Sequence, residues 1–391
     1  MATTLQLSDN PCPKVLSLVG GGKSRSVAML HRSLYKPPHQ VVSAKGIYLS
    51  LVSGQVIIDA CGGAAVCSIG HANEEVLKAV AQQMRTGASY VHSMTYTTSV
   101  AEDLAQLLIH GPQGGSRFGL EKAFFVNSGS EAADSAMKLA RQYFFEQGQL
   151  QRTKFVARKQ GFHGSTIGAM SISSNLPRKV PFTCFQPDTV SWVTPAYAYQ
   201  YSKPEESLED FTARLLAELD AHFQKLDAGT IAAFMTETVV GATSGCTAAP
   251  PGYFRGVRQI CDKYGILLIL DEVMCGMGRT GTFFAFEQDD VVPDILAVAK
   301  GLGGGYSPIA GLLIHHRVID VLRHGTGSFC HGHTYQAHPI GCAAALRVQQ
   351  IIQRDNLVEV CAQRGNYLES LLRETFSEAE LVGEIRGRGL F

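Results

Sequence analysis

Charge, paired cysteines and long apolar runs are all scarce in this chain of 391 residues. Charged residues make up 17%, and Lys plus Arg equals Asp plus Glu at 34 each, so no basic field argues for a nucleic acid partner. No apolar run reaches about 18 residues, so no transmembrane helix is expected. The ten cysteines are scattered and never form a C-x-x-C pair. That pattern fits reduced thiols in a cytoplasmic protein better than a disulfide frame. His331 and His333 lack a matching cluster of acids or cysteines, so no metal centre is expected there. No internal repeat is present.

What remains is a chain rich in apolar residues (45%) and glycine (40 residues), with the glycines gathered at loops. Its length suits one large and one small domain. Residues 1–30 read as a flexible N-terminal arm. The run Gly20-Gly21-Gly22-Lys23-Ser24 lacks phosphate-loop spacing, because Ser17 stands where the leading glycine is needed. Lys23 and Arg25 give the arm at most a weak organellar signal. From about Gln40 to Ser68, β-branched residues and turns read as a meander. Glu74 to Arg85 reads as a helix with Val76, Leu77, Val80 and Met84 on one face. From about Tyr90 to Arg323, strands alternate with helices, which predicts a mostly parallel sheet. Pro204 to Leu226 reads as a long amphipathic helix, and Gly341 to Gln353 begins another.

Lys300 closes the apolar run Ile295 to Ala299 and precedes Gly301-Leu302-Gly303-Gly304-Gly305. Burial there would lower its pKa, and a neutral amine can form a Schiff base with a carbonyl. Asp271 lies 29 residues earlier (300 − 271), at the end of the apolar strand Ile266 to Leu270. Such strand ends are where open α/β sheets bind ligands. Pyridoxal phosphate needs a lysine for its aldehyde and an acid for its ring nitrogen. Taken alone, Asp271 reads equally as a helix cap. Ser128-Gly129-Ser130 sits between the strand at Phe124 and a helix, where free N–H groups attract a phosphate. Phe162, between Gly161 and His163-Gly164, could lie on a planar ring, although singly it reads as core. Cys275, beside Asp271, reads as a packed thiol.

In this order the elements resemble the class III aminotransferases, among the fold-type I pyridoxal phosphate enzymes. Ile58-Asp59-Ala60 with Gly70-His71, Gly276 to Gly281, and Gly332-His333-Thr334-Tyr335 with His338-Pro339 extend the resemblance from about His31 onward. It implies an α/β fold with a mostly parallel seven-stranded sheet flanked by helices, plus a smaller α+β domain. The domains would be the N-terminal part of the small domain (31–89), the large cofactor-binding domain (90–335), and a connecting helix with the start of the C-terminal small domain (336–391). Lys300 resembles the Schiff-base lysine and proton carrier, and Asp271 the ring-nitrogen partner. Val273 and Phe162 resemble the residues on the two ring faces, with His163 beside them. Ser128, Gly129 and Ser130 resemble the phosphate cup, and Glu237 an active-site glutamate. Thr334 resembles the residue that reaches the phosphate of the neighbouring subunit, which implies a homodimer.

Three departures stand out. Met274 replaces a glutamine common in relatives, and Phe162 replaces a tyrosine. The segment Ile385 to Phe391 resembles the family's entry into a further strand, beyond which the family continues. The resemblance therefore implies an incomplete small domain, with apolar surface exposed around the helix from Gly341 and at Leu390-Phe391. It also implies that Glu237 lacks its usual arginine partner.

The function implied is a ping-pong transaminase acting between an amine or omega-amino acid and a keto acid through Lys300. Racemases, aminomutases and decarboxylases share the scaffold, and a catalytically impaired homologue is the third alternative.

Overall fold

A computed structural model describes residues 28–86, 88–111 and 118–391. The expected arm at 1–30 lies almost wholly outside the described residues.

The first strands form an antiparallel meander: β1 (Val41–Lys45), β2 (Tyr48–Leu51) and β3 (Val56–Ile58). It falls where the alternation of β-branched residues places it. Helix Glu74–Arg85 follows, with Asn73 as its N-cap accepting from the Glu75 and Val76 N–H groups.

The main sheet is built from β4 (Leu120–Val126), β5 (Lys154–Arg158), β6 (Val190–Val193), β7 (Ile231–Glu237), β10 (Leu267–Asp271), β11 (Ile295–Val298) and β12 (Ala310–His315). A two-strand ribbon, β8 (Val239–Val240) and β9 (Thr247–Ala248), stands apart from it. The seven strands run in the order β4-β12-β11-β10-β7-β5-β6. All pairs are parallel except those made by β12, which is antiparallel to both neighbours. Only the short segment after Val298 separates β11 from β12. A parallel return would need a crossover of a dozen or more residues, so the chain turns back beside itself.

The central strands are apolar on both faces because helices cover both. In β10, Leu268 and Leu270 enter one core while Leu267 and Ile269 enter the other. In β11 the same division separates Leu296 and Val298 from Ile295 and Ala297. This explains the continuous apolar runs ahead of Asp271 and Lys300.

Helix Pro339–Arg354 packs against helices Glu74–Arg85 and Ser99–His110. Val76, Ala344, Val348, Ile351 and Ile352 form a small core there, joining early and late parts of the chain. Apolar exposure around this helix was the expectation, and the structure corrects it. Ala343, Ala344 and Ala345 are buried, small residues that permit close helix packing. Exposed apolar side chains lie instead on the next helix, Leu357–Thr375, at Val360, Leu368 and Leu371, and at the expected Leu390 near the chain end.

The last residues form no strand. They fold back on the Gly276–Gly281 loop and its surroundings. Leu390 N–H donates to Arg279 O at 3.2 Å, and Arg388 pairs with Asp289 at 2.6 Å. Arg386 Nε donates to Gly245 O at 2.8 Å.

Candidate active site

Parallel strands bring their C-terminal ends to one edge of the sheet. There the structure forms a cavity of about 410 Å³. Ser128, Gly129 and Ser130 line it after β4, and Phe162 and His163 after β5. Glu237 ends β7, Asp271 ends β10 with Val273 and Met274 beyond it, and Lys300 follows β11. Nine of the ten expected site residues therefore share one cavity. Thr334, the tenth, does not line the cavity of its own chain.

Register fixes the acids. Asp271 and Glu237 are direct partners across β10 and β7. The Asp271 carboxylate accepts from Val273 N–H at 3.0 Å through Oδ1. Its Oδ2 lies 2.7 Å from His163 Nδ1, and both side chains are buried. Glu237 accepts from Phe162 N–H and Gly241 N–H, each at 3.0 Å. Burial pushes its carboxyl up, His163 draws it down, and the charge of Asp271 raises it again. Among the described residues no lysine or arginine pairs with this carboxylate. Arg158 instead donates to the Glu237 main-chain oxygen.

Lys300 has φ 44°, a left-handed backbone that a side chain rarely adopts. Its amine makes no hydrogen bond or ion pair among the described residues. Burial lowers its pKa, against the upward pull of Asp271, Glu237 and Cys275. An amine that is half-buried and held by nothing is free to form a bond. Cys275 is buried, and burial drives its thiol well above the ordinary range, so it is a packed side chain.

The helix Gly129–Glu146 starts at the cavity wall. Ser128 caps it, its Oγ accepting from Glu131 N–H at 3.2 Å. The N–H groups of Gly129 and Ser130 belong to the first turn and have no intrahelical acceptor. A Cβ on Gly129 would stand 2.8 Å from Val273 Cγ1, so only glycine fits between the helix start and β10. A helix terminus stabilises an anion by about 0.3–2 kcal/mol. That is too little to retain a cofactor alone, so the amine and the carboxylate must share the work.

These groups fit pyridoxal phosphate. Free N–H donors suit its phosphate, the Asp271 carboxylate suits its ring nitrogen, and the Lys300 amine suits its aldehyde. The fold and the site define a pyridoxal phosphate enzyme of fold-type I.

The chain belongs to the class III aminotransferases, whose family model (Aminotransferase class-III) matches residues 31–391. An uncharacterized aminotransferase of Schizosaccharomyces pombe is 46% identical over 358 residues, covering 91% of this chain and 76% of that protein. An (S)-enantioselective omega-transaminase from Thermomicrobium roseum superposes with TM-score 0.84 at 34% identity, covering 91% and 77% of the two chains. An amine transaminase from an uncultivated Pseudomonas species, solved in its PLP-bound form, gives TM-score 0.87 at 30% identity, covering 94% and 83%.

Sequence reasoning missed some of the wall. Ser307, Pro308 and Ile309 line the cavity because β12 returns antiparallel and starts at the functional edge. A purely parallel reading puts that strand start at the opposite edge. The pairing of His163 with Asp271 was missed as well. A histidine between Phe162 and Gly164 was the available signal, but nothing in the sequence gave its direction.

Proposed function

We propose that this chain is a transaminase that moves an amino group between a primary amine or omega-amino acid and a keto acid, in two half-reactions at one site. The observation that carries this reading is Lys300. Its amine is half-buried, unpaired and next to a cavity that Asp271 also lines.

When bound, pyridoxal phosphate supplies a carbonyl for the amine and a ring that withdraws electrons from the substrate carbon. Lys300 Nζ would hold the cofactor between turnovers. During turnover it would take the proton from the substrate carbon as a neutral amine and return it as an ammonium. Asp271, oriented by His163 and Val273 N–H, would keep negative charge at the ring nitrogen. Phe162 and Val273 would confine the ring, and the start of the Gly129–Glu146 helix would hold the phosphate.

The rest of the wall suggests the donor class. Val66, Ala242, Met274, Pro308 and Ile309 are apolar, and Lys300 is the one cation among the described lining residues. Among the described lining residues no second positive charge meets a dicarboxylate, which favours amines with an apolar body. We also assign the working unit to a homodimer. Thr334 lies off its own cavity and would serve that of a neighbour.

A panel of amines tested against the holoenzyme decides the reaction. The expected result is loss of the cofactor's visible absorption with amine and its return on adding a keto acid. Loss without keto-acid-dependent return would reject transamination. Sedimentation of the active enzyme as a monomer would reject the dimer.

A further inference from the structure

A second group of chemically capable residues stands at the rim of the cavity. Asp59, Cys67 and His71 offer one carboxylate oxygen, one thiol and one imidazole nitrogen, all within 4.8 Å of one another. Among the described residues this is the one such group of three. We propose that these three side chains bind a zinc ion.

The site is held by backbone before any ion arrives. Asp59 N–H donates to Ile47 O at 2.8 Å, directly after β3. His71 and Gly46 exchange main-chain hydrogen bonds of 2.8 and 3.0 Å. Cys67 N–H donates to Gly62 O at 3.0 Å. The carboxylate is oriented too, since Gly63 N–H donates to Asp59 Oδ1 at 2.9 Å. Such outer contacts fix ligand direction in metal sites.

Distances agree with the ion. Zinc binds sulfur at about 2.3 Å and nitrogen or oxygen at about 2.0–2.2 Å, which puts tetrahedral ligands roughly 3.3–3.8 Å apart. His71 Nε2 and Asp59 Oδ2 are already 3.3 Å apart. Cys67 Sγ lies within 4.8 Å of both, so it must approach by at most about 1.5 Å to complete the set. The His71 and Asp59 side chains are 26% and 13% exposed, which leaves an entry path and a fourth position for water. A thiolate with an imidazole selects zinc over magnesium or calcium, which prefer oxygen. Binding releases the thiol proton to solvent and involves no redox change.

The location ties the ion to the cavity. Val66, next to Cys67, lines it, and so does Gly305. A Cβ on Gly305 would stand 3.1 Å from Cys67 Sγ.

The test uses chelator-treated holoenzyme, with cofactor content checked in every variant as a control for folding. Zinc titration should give one ion per chain. Even outer-shell partners are worth about 10–100-fold in metal affinity, so Cys67→Ser and His71→Ala should each weaken binding by about 100-fold or more. Cobalt should give the visible ligand-field bands of a tetrahedral thiolate site, retained in Cys61→Ser and lost in Cys67→Ser. Zinc binding unchanged in Cys67→Ser, a cobalt spectrum of octahedral form, or no stoichiometric binding would each overturn the proposal.

Discussion

His163 Nδ1 lies 2.7 Å from Asp271 Oδ2, with both side chains buried at the end of β10. The contact joins the loop after β5 to a strand two places away in the sheet. It leaves the carboxylate doubly anchored, since Val273 N–H holds the other oxygen. A carboxylate anchored in this way cannot swing from the ring nitrogen it is proposed to face.

Asp271→Asn removes the charge and keeps the shape. The expected result is a folded, cofactor-binding protein with kcat lowered by about 10²–10³-fold, the scale of one preorganised electrostatic partner. Steady-state kinetics with the best amine donor measures it. Turnover near that of the parent enzyme would remove Asp271 from the mechanism.

Lys300→Ala should abolish covalent retention of the cofactor. Borohydride reduction and peptide mapping of the parent chain should place the label on Lys300, and the variant should carry none. The proton transfer lost with the amine is worth about 10²–10⁴-fold in rate. Label on another lysine would defeat the assignment.

Cofactor attachment should follow the neutral fraction of Lys300. Burial lowers its pKa, so the rate of reattachment to cofactor-free protein should rise with pH, with a midpoint below the ordinary lysine value of 10.5. Glu237 pulls that pKa upward. Its negative charge favours the ammonium, so Glu237→Gln should move the midpoint further down. A midpoint that stays put or rises in the variant contradicts the sign argued here.

Gly129→Ala places a methyl group 2.8 Å from Val273 Cγ1. Overpacking of this kind costs about 1–3 kcal/mol. Both the melting temperature and cofactor retention on dialysis should fall. Val273→Ala in the same chain should restore part of the loss, because it removes the atoms struck.

Most of the fold was legible where apolar patterning is strong. The helix Glu74–Arg85 matches its expected ends, and the runs before Asp271 and Lys300 are the central strands β10 and β11. Nine expected site residues converge because parallel strands put their C-terminal ends together. Contacts set by geometry between distant segments were not legible. The His163 pairing joins positions 108 apart in sequence. The antiparallel return of β12 depends on a short connection whose path no residue pattern states. At the chain end, Arg386 and Arg388 hold the last residues to Gly245 and Asp289, acceptors far away in sequence that no local pattern announces.

The left-handed backbone at Lys300 has a consequence for descent. A residue with a Cβ held at φ 44° carries roughly 1–2 kcal/mol of strain that glycine would not. Nothing in the packing asks for a lysine there, since its amine has no partner. On the proposed role, the chemistry of the amine offsets that cost. In a lineage released from catalysis, Lys300 should be among the first residues to drift, and glycine should be the replacement that folds best.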